Sequence, residues 1–472
     1  MNAHPIWPSR DDPTVAAASE WIGGPAGRHA TVGSRWWNPL RIMLAVACTV
    51  FALGVLLDEP CHDASWERRD DSTLWTSLCY SDVPFLYRER GFSDGDLPYW
   101  DTALEYPVLT GVVMQGSAIA ARAVQSFVDS EPADPAVAES VRFYEVTTLL
   151  VGLSALVVVA ATALTVPQRP WDAMLVAASP IMLLSATINW DLLAVAAASV
   201  AILAWTRERP GWAGILIGVG AAVKLYPVLL LGPLVLVALR APGRLRELRK
   251  VGVCGGVAVA TWSLINAPFA LWARDGWLTF FEFNAAREAD FGSIWYARQL
   301  LAPELLPGDV DRLALGAALV LLGAIILLAM LAPRPPRLAQ LAFLAVAAFV
   351  LINKVWSPQY SLWLLPLAAL AIPRWRELLI WQAAEAIYVV SVWFYLSGFF
   401  ADHMISDEVY AWSIVLRAVV LIWLCSMVVR DMFAPDRDPV RNTNMPPSPV
   451  PDRLEHAGAS APTGAGERHR SA

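Results

Sequence analysis

Asp82 stands in the stretch CYSDVPFLYRERGF, with aromatic and apolar neighbours Tyr80, Val83 and Phe85, unlike the charged run Arg68-Arg69-Asp70-Asp71. A carboxylate in such a setting can serve as general base toward a hydroxyl brought within hydrogen-bonding reach; the plainer reading is one more solvated acid. Lys224 in GVGAAVKLYP and Lys354 in LINKVWSPQYSLW close apolar stretches, where an ammonium either holds a phosphate or snorkels to lipid headgroups. Arg287, in FEFNAAREADFGSIWY, adds a planar fork suited to phosphate. Asp191, in Asn189-Trp190-Asp191, could contact sugar hydroxyls or simply cap the helix that follows. Trp356, Tyr360, Trp363 and Trp393 have faces on which sugar rings stack, although with 22 tryptophans in the chain most must belong to interfacial belts. His62 and His403 form no HExxH or other metal-spaced pattern, and P-loop, GxSxG and dinucleotide-binding glycine motifs are absent. Neither a cofactor nor a metal site is expected.

The elements that must position these groups are helices in a membrane. Of 472 residues, 57% are hydrophobic and only 16% charged, and the mean hydropathy is +0.48, whereas a soluble chain carries roughly a quarter charged residues. Apolar windows fall near 39–57, 107–124, 143–166, 171–187, 191–206, 212–224, 226–239, 251–270, 313–332, 338–352, 358–372, 377–397 and 411–429. Many approach the roughly 20 residues that cross about 30 Å of hydrocarbon as a helix. The short alternating segments of a porin are not seen. Net charge −7 and a pI near 5.5 leave no basic footprint for nucleic acid. Residues 1–38 and 431–472, polar and rich in Pro and Gly, read as disordered cytoplasmic arms around a membrane domain at 39–430.

Charge sets the expected topology. The breaks 167–170, 207–210, 240–250, 333–337 and 373–377 hold twelve basic and three acidic residues and should face the cytoplasm. Segment 58–106 holds twelve acidic and four basic residues and should face outward. If every window crossed, the basic breaks would lie outside, so one early window must not span. Window 107–124 is the best candidate: it is interrupted by Gly111 and Gly116 and contains Gln115 and Arg122. It reads as a helix lying along the outer face. The expectation is an all-α polytopic protein of the cell membrane, with about twelve spanning helices, both termini cytoplasmic, and Asp82, Asp191, Lys224, Arg287 and Lys354 at the outer face. Cys61 and Cys79, 18 residues apart in the outward loop, are expected to form a disulfide.

The stretches YSDVPFLYRERG, EYPVLTG, INWDLLAVA, GAAVKLYPVLLL and NKVWSPQYSLWLLPL, in this order over roughly residues 40–430, resemble the polyprenyl-phosphate-dependent glycosyltransferases of the GT-C fold. The resemblance is closest to bacterial family 87, which includes mycobacterial α-1,2-mannosyltransferases. It implies a GT-C-like bundle with juxtamembrane helices in the first outer loop. Asp82 would be the base in an inverting transfer from a polyprenyl-phosphate sugar, with Lys224, Arg287 and Lys354 at the donor phosphate. Glu105, Tyr106, Asn189, Asp191, Trp356, Gln359 and Tyr360, in the matching stretches, would contact substrate. The chain departs from the pattern at Tyr106-Pro107-Val108, where the family more often shows YPP, and at Thr187-Ile188-Asn189, where it shows Gly-Gln before the Asn. Mannose is the expected sugar and an envelope glycan or glycolipid the expected acceptor, with membrane lipids around the protein. Arabinofuranose transfer and protein O-mannosylation would use the same chemistry, and a lipid-linked sugar flippase or a non-catalytic envelope scaffold are the readings from other classes.

Overall fold

In the computed structural model, residues 38–66, 73–127, 134–304, 309–398 and 404–442 are described. The terminal arms up to residue 37 and from 443 onward, and His403, lie outside them. Fifteen helices of eight residues or more run through the described chain: α1 (Pro39–Leu57), α2 (Asp82–Glu89), α3 (Val108–Gln125), α4 (Pro135–Thr165), α5 (Asp191–Thr206), α6 (Pro210–Val223), α7 (Leu231–Arg240), α8 (Arg244–Trp272), α9 (Arg274–Ala286), α10 (Ile294–Leu301), α11 (Val310–Leu331), α12 (Leu338–Ile352), α13 (Ser361–Ala371), α14 (Trp375–Ser397) and α15 (Asp407–Phe433). Six of them, α1, α4, α8, α11, α14 and α15, are long and apolar enough to cross a membrane unaided, and α5, α6, α7 and α12 are shorter apolar helices between them. The molecule is an all-α polytopic membrane protein.

Local chemistry explains the boundaries. Asn38 caps α1 by accepting from the Arg41 amide, and Asp134 caps α4 through the Ala136 and Val137 amides; each helix then opens with a proline, whose missing N–H would have had no partner there. Helix α4 therefore begins eight residues before the apolar window that announced it. Window 171–187 is not one helix. It breaks into Pro170–Ala173, Met174–Ala177 and Pro180–Ser185 because Pro180 cannot donate to the preceding turn, and Ser179 instead caps the last piece through the Ile181 amide. Gly214 and Gly218, one helical turn apart on α6, lie against the backbone of Cys254 and Ala258 on α8; a Cβ at Gly218 would sit 2.6 Å from the Ala258 carbonyl oxygen. Small residues at this spacing let two membrane helices approach backbone to backbone.

Charged groups collect at the two ends of the bundle. At one end Arg337 pairs with Asp438 at 2.7 Å and also donates to the Leu370 and Ala371 carbonyls, Arg374 pairs with Asp431 at 2.8 Å, and Arg240 donates to the Met330 and Ala332 carbonyls. Lys250 bridges Glu208 and Glu247, and Arg169 reaches the Pro439 carbonyl. All five basic breaks thus have ordered partners. This corrects the boundary expected at residue 430: the chain continues in order to Asn442, and both Asp431 and Asp438 are fully buried. Removing one member of such a buried pair typically costs about 3–5 kcal/mol.

Helix α3 is tied near both of its ends to other segments. Thr110 near its start donates to the Val223 carbonyl at 2.7 Å, and Arg122 near its end donates to the Phe92 carbonyl, just beyond α2, at 2.8 Å. In a chain with Cys48, Cys254 and Cys425 replaced, Ser126→Cys should react with a membrane-impermeant maleimide on intact cells whose outer barrier admits the reagent, and Arg249→Cys only after the membrane is opened. Labelling of Ser126→Cys only after opening would make α3 a span.

Candidate active site

The segment that carries Asp82 is fastened at both sides. Cys61 and Cys79 are joined as a disulfide with Cα atoms 5.8 Å apart. Beyond it, Ser81 donates through Oγ to the Thr187 carbonyl at 2.8 Å and caps α2 by accepting from the Val83 amide, while the Asp82 amide donates to the Ile188 carbonyl at 2.9 Å. The start of α2 is thereby docked on the turn ahead of α5. Tyr80 donates to Asp82 Oδ1 at 2.9 Å and Tyr106 to Oδ2 at 3.3 Å, leaving lone pairs on both oxygens for an incoming hydroxyl. Burial raises the Asp82 pKa above the usual carboxylate value; the two tyrosine hydroxyls and the Lys224 charge pull against it without cancelling it.

Lys224 follows the last residue of α6, and its Nζ lies 2.9 Å from Asp191 Oδ1. Asp191 also accepts from Trp363 Nε1 at 2.8 Å, and its amide donates to Asn189 Oδ1 at 3.0 Å. The Lys224 ammonium stands 5.3 Å from the Tyr106 ring and 5.7 Å from the Tyr360 ring, close enough for a cation–π attraction. Behind it Tyr360, Trp363 and Tyr226 stack in series at 3.9 and 4.5 Å. Burial opposes the Lys224 charge, but Asp191, with lesser help from Tyr360 and Asp82, more than offsets it, so the ammonium's pKa lies above its ordinary value.

These groups border one cavity of about 420 Å³, large enough for a sugar and its phosphate. Of the residues singled out in the sequence, it brings together Asp82, Glu105, Tyr106, Asn189, Lys224, Arg287, Gln359 and Tyr360, with Trp393 on its wall. Glu105 is held by a two-pronged contact from Arg90 at 2.9 and 2.8 Å, and Arg287 pairs with Asp290 at 2.8 Å.

Three expected site residues stand elsewhere. Lys354 points to Asp311 at 2.7 Å and to the Ala285 carbonyl at 3.3 Å, outside the cavity lining. Trp356 is fully buried, its ring 3.9 Å from the Arg417 guanidinium. Asp191 is 2% exposed, lies outside the cavity lining and holds Lys224. The differences share one cause: which partner each side chain finds is decided by helices far away in sequence.

Sequence reasoning missed other groups. Tyr80, read only as an aromatic neighbour, is a hydroxyl donor to Asp82, and Trp75 and Arg90 also line the cavity. Glu59, His62 and Asp63 bring ligand-capable atoms within 4.8 Å of one another, with His62 also 3.2 Å from Glu145. Their i, i+3 and i+4 spacing on a short helix was the available signal.

The fold and this cavity define a membrane protein with acids, cations and aromatic walls gathered beside the ends of its helices. Residues 135–354 match the model of glycosyltransferase family 87, and this match supports a membrane glycosyltransferase. No curated protein matches it. The matched segment carries Asn189, Asp191, Lys224 and Arg287; Asp82, Glu105 and Tyr106 precede it and Gln359 and Tyr360 follow.

The cysteine pair gives a direct test of how the Asp82 segment is held. Alkylation of the denatured protein without reductant should leave Cys61 and Cys79 unlabelled. Cys61→Ala with Cys79→Ala should lower stability by about 3 kcal/mol, as expected for opening a loop of this length. Labelling of both thiols without reductant would contradict the pairing.

Proposed function

We propose that the chain transfers a sugar, with mannose the first candidate, from a polyprenyl monophosphate to a hydroxyl of an envelope glycan or glycolipid at the outer face of the cell membrane. The observation that carries the proposal is a carboxylate held by two tyrosine hydroxyls in the same cavity as Lys224 and Arg287. The acceptor oxygen attacks the anomeric carbon as the bond from that carbon to the phosphate oxygen breaks. The acceptor proton passes to Asp82, and polyprenyl phosphate leaves with the electron pair. Attack from the face opposite the phosphate inverts the anomeric configuration.

Tyr80 and Tyr106 orient the Asp82 carboxylate, and its raised pKa makes it a stronger base than an exposed acid. Lys224 and Arg287 supply positive charge where the leaving phosphate gathers negative charge. Each already has a carboxylate partner, Asp191 and Asp290. The donor phosphate would therefore share these cations with fixed acids, which positions the cations before the substrate arrives. The family resemblance supports the choice of polyprenyl chain, sugar and acceptor; the cavity supports the choice of base and cations.

Asp82→Asn should lower transfer by about 10²- to 10⁴-fold, the usual loss on removing a general base, while expression and melting temperature stay close to wild type. Envelope glycolipids and glycans compared by mass spectrometry between a deletion strain and strains carrying either form would show the missing product. Activity within a few-fold of wild type would remove Asp82 from the mechanism.

The raised Asp82 pKa sets the sign of the pH dependence. The base works only when deprotonated, so kcat/KM should fall with acidification through a pKa above that of an ordinary aspartate. A limb at or below the ordinary value would contradict the assignment. Arg287→Ala, and Lys224→Met made together with Asp191→Asn so that no buried carboxylate loses its cation, should raise KM for the lipid donor and leave KM for the acceptor unchanged. A rise confined to the acceptor would refute the phosphate role.

A further inference from the structure

The charged pair most deeply buried in the bundle plays no part in the chemistry above. Arg417 on α15 is 0% exposed and Glu385 on α14 1%. They pair at 2.6 Å. Ser361 and Trp381 also donate to Glu385, at 2.6 and 3.2 Å, and the Arg417 guanidinium lies between the rings of Trp356 and Tyr388 at 3.9 and 3.8 Å. An ion pair in such a place is not explained by stability, because apolar residues of similar size usually do as well or better. An ionisable pair inside a membrane bundle calls for a specific task.

That task is visible in the second arm of the guanidinium, which donates to the Trp356 carbonyl at 2.9 Å. Trp356 belongs to the unwound segment 353–357 between α12 and the short turn Pro358–Tyr360 that opens α13. An interrupted helix leaves carbonyls without their usual partners, and inside a bilayer only other protein groups can serve them. Arg417 satisfies one such carbonyl and Glu385 neutralises it at once, which a guanidinium fork can do and an ammonium cannot match.

The same segment is tied to the one bearing Arg287. The Trp356 amide donates to the Phe291 carbonyl at 3.2 Å, the Asp290 amide to the Lys354 carbonyl at 2.8 Å, and the Gly292 amide to Tyr410 Oη at 3.0 Å. Gly292 has φ +77°, and a Cβ there would collide with the Trp356 carbonyl and Tyr388 Oη, so the contact demands glycine on both counts. We propose that Arg417 is a positioning residue: paired with Glu385, it latches segment 353–357 and through it segment 287–293, and so sets where Gln359, Tyr360 and Arg287 stand around the cavity. The latch itself is read from these contacts; only its consequence for donor binding rests on the glycosyl-transfer reading.

Two variants of the full chain test it in reconstituted membranes. Arg417→Met with Glu385→Leu removes both charges and leaves the Trp356 carbonyl unserved; Arg417→Lys keeps the charge and loses the fork. In a background without Cys48, Cys254 and Cys425, a cysteine replacing Ser357 reports opening of the segment, and one replacing Ser126 serves as control. Loss of a hydrogen bond to a charged group should raise the Ser357→Cys labelling rate by about ten-fold or more in the double variant, by less in Arg417→Lys, with the Ser126→Cys rate and melting temperature little changed. In the transfer assay KM for the donor should rise while KM for the acceptor holds. Labelling of Ser357→Cys within two-fold of the parent in a folded double variant would overturn the latch, and so would failure of both variants to fold, since a local latch does not hold the bundle together. If the parent transfers no sugar, the proposed function fails while the labelling still decides the latch.

Discussion

A helix interrupted inside a bilayer exposes carbonyls that water cannot reach, and the cavity of this protein is built around that constraint. Three interruptions face it: before α5, after α6 and after α12. Each is closed by a group from a distant part of the chain. Ser81 and the Asp82 amide serve the Thr187 and Ile188 carbonyls, Thr110 serves Val223, and Trp295, the Asp290 amide and Arg417 serve Ile352, Lys354 and Trp356. The groups that close the gaps bring the proposed chemistry with them: docking on Ile188 places Asp82 next to the turn that carries Asn189, and the end of α6 that leaves Val223 open is where Lys224 leaves the helix. Satisfying the backbone and assembling the cavity are one event.

The two hydrophobic cores divide along the same line. Away from the cavity, Ala, Val and Leu from α4, α5, α6, α12 and α13 pack closely enough for short helices to pair. In the second core nearly half of the buried residues are aromatic, with Trp66, Tyr87, Phe143, Trp190, Tyr388 and Tyr410 among them. Aliphatic packing suits continuous helices, whereas broken ones need large side chains that fill irregular space and carry a polar atom to a stray donor or acceptor. Tyr410 does so directly, stacking on Tyr395 at 4.1 Å while its hydroxyl accepts from Gly292.

Much of this was legible in the sequence, for reasons that differ from residue to residue. The conflict between basic breaks and a count of thirteen apolar windows pointed to 107–124 as the helix that does not cross, and α3 is not among the six helices long and apolar enough to span unaided. Asp82 stood out because acids seldom sit among Tyr, Val and Phe. By contrast, Lys224 and Lys354 looked alike: each ends an apolar stretch and precedes an aromatic residue. Only the fold separates them, giving Lys224 the buried Asp191 beside the cavity and Lys354 the exposed Asp311 away from it. Trp356 and Tyr360 likewise share a motif, yet the turn between them buries one ring and presents the other. Asp431 and Asp438 were read as part of a polar tail because their partners, Arg374 and Arg337, lie in breaks some sixty and one hundred residues earlier.

Glu385 and Arg417 mark the opposite case, a signal present in the sequence that charge counting passed over. Both lie well inside apolar windows, where an ionisable side chain is rare enough to require a reason. Counting charges in the breaks treats such residues as exceptions to hydropathy, although two exceptions of opposite sign on neighbouring helices imply each other. Their depth also fixes what they can do. A pair at a bundle end can exchange partners with water or a ligand, as Lys224 and Asp191 can in part, whereas Arg417 has no solvent to turn to and must keep the geometry it has. The cavity thus combines two kinds of ion pair: accessible ones whose cations a phosphate could share, and one sealed pair that holds the frame in which they stand.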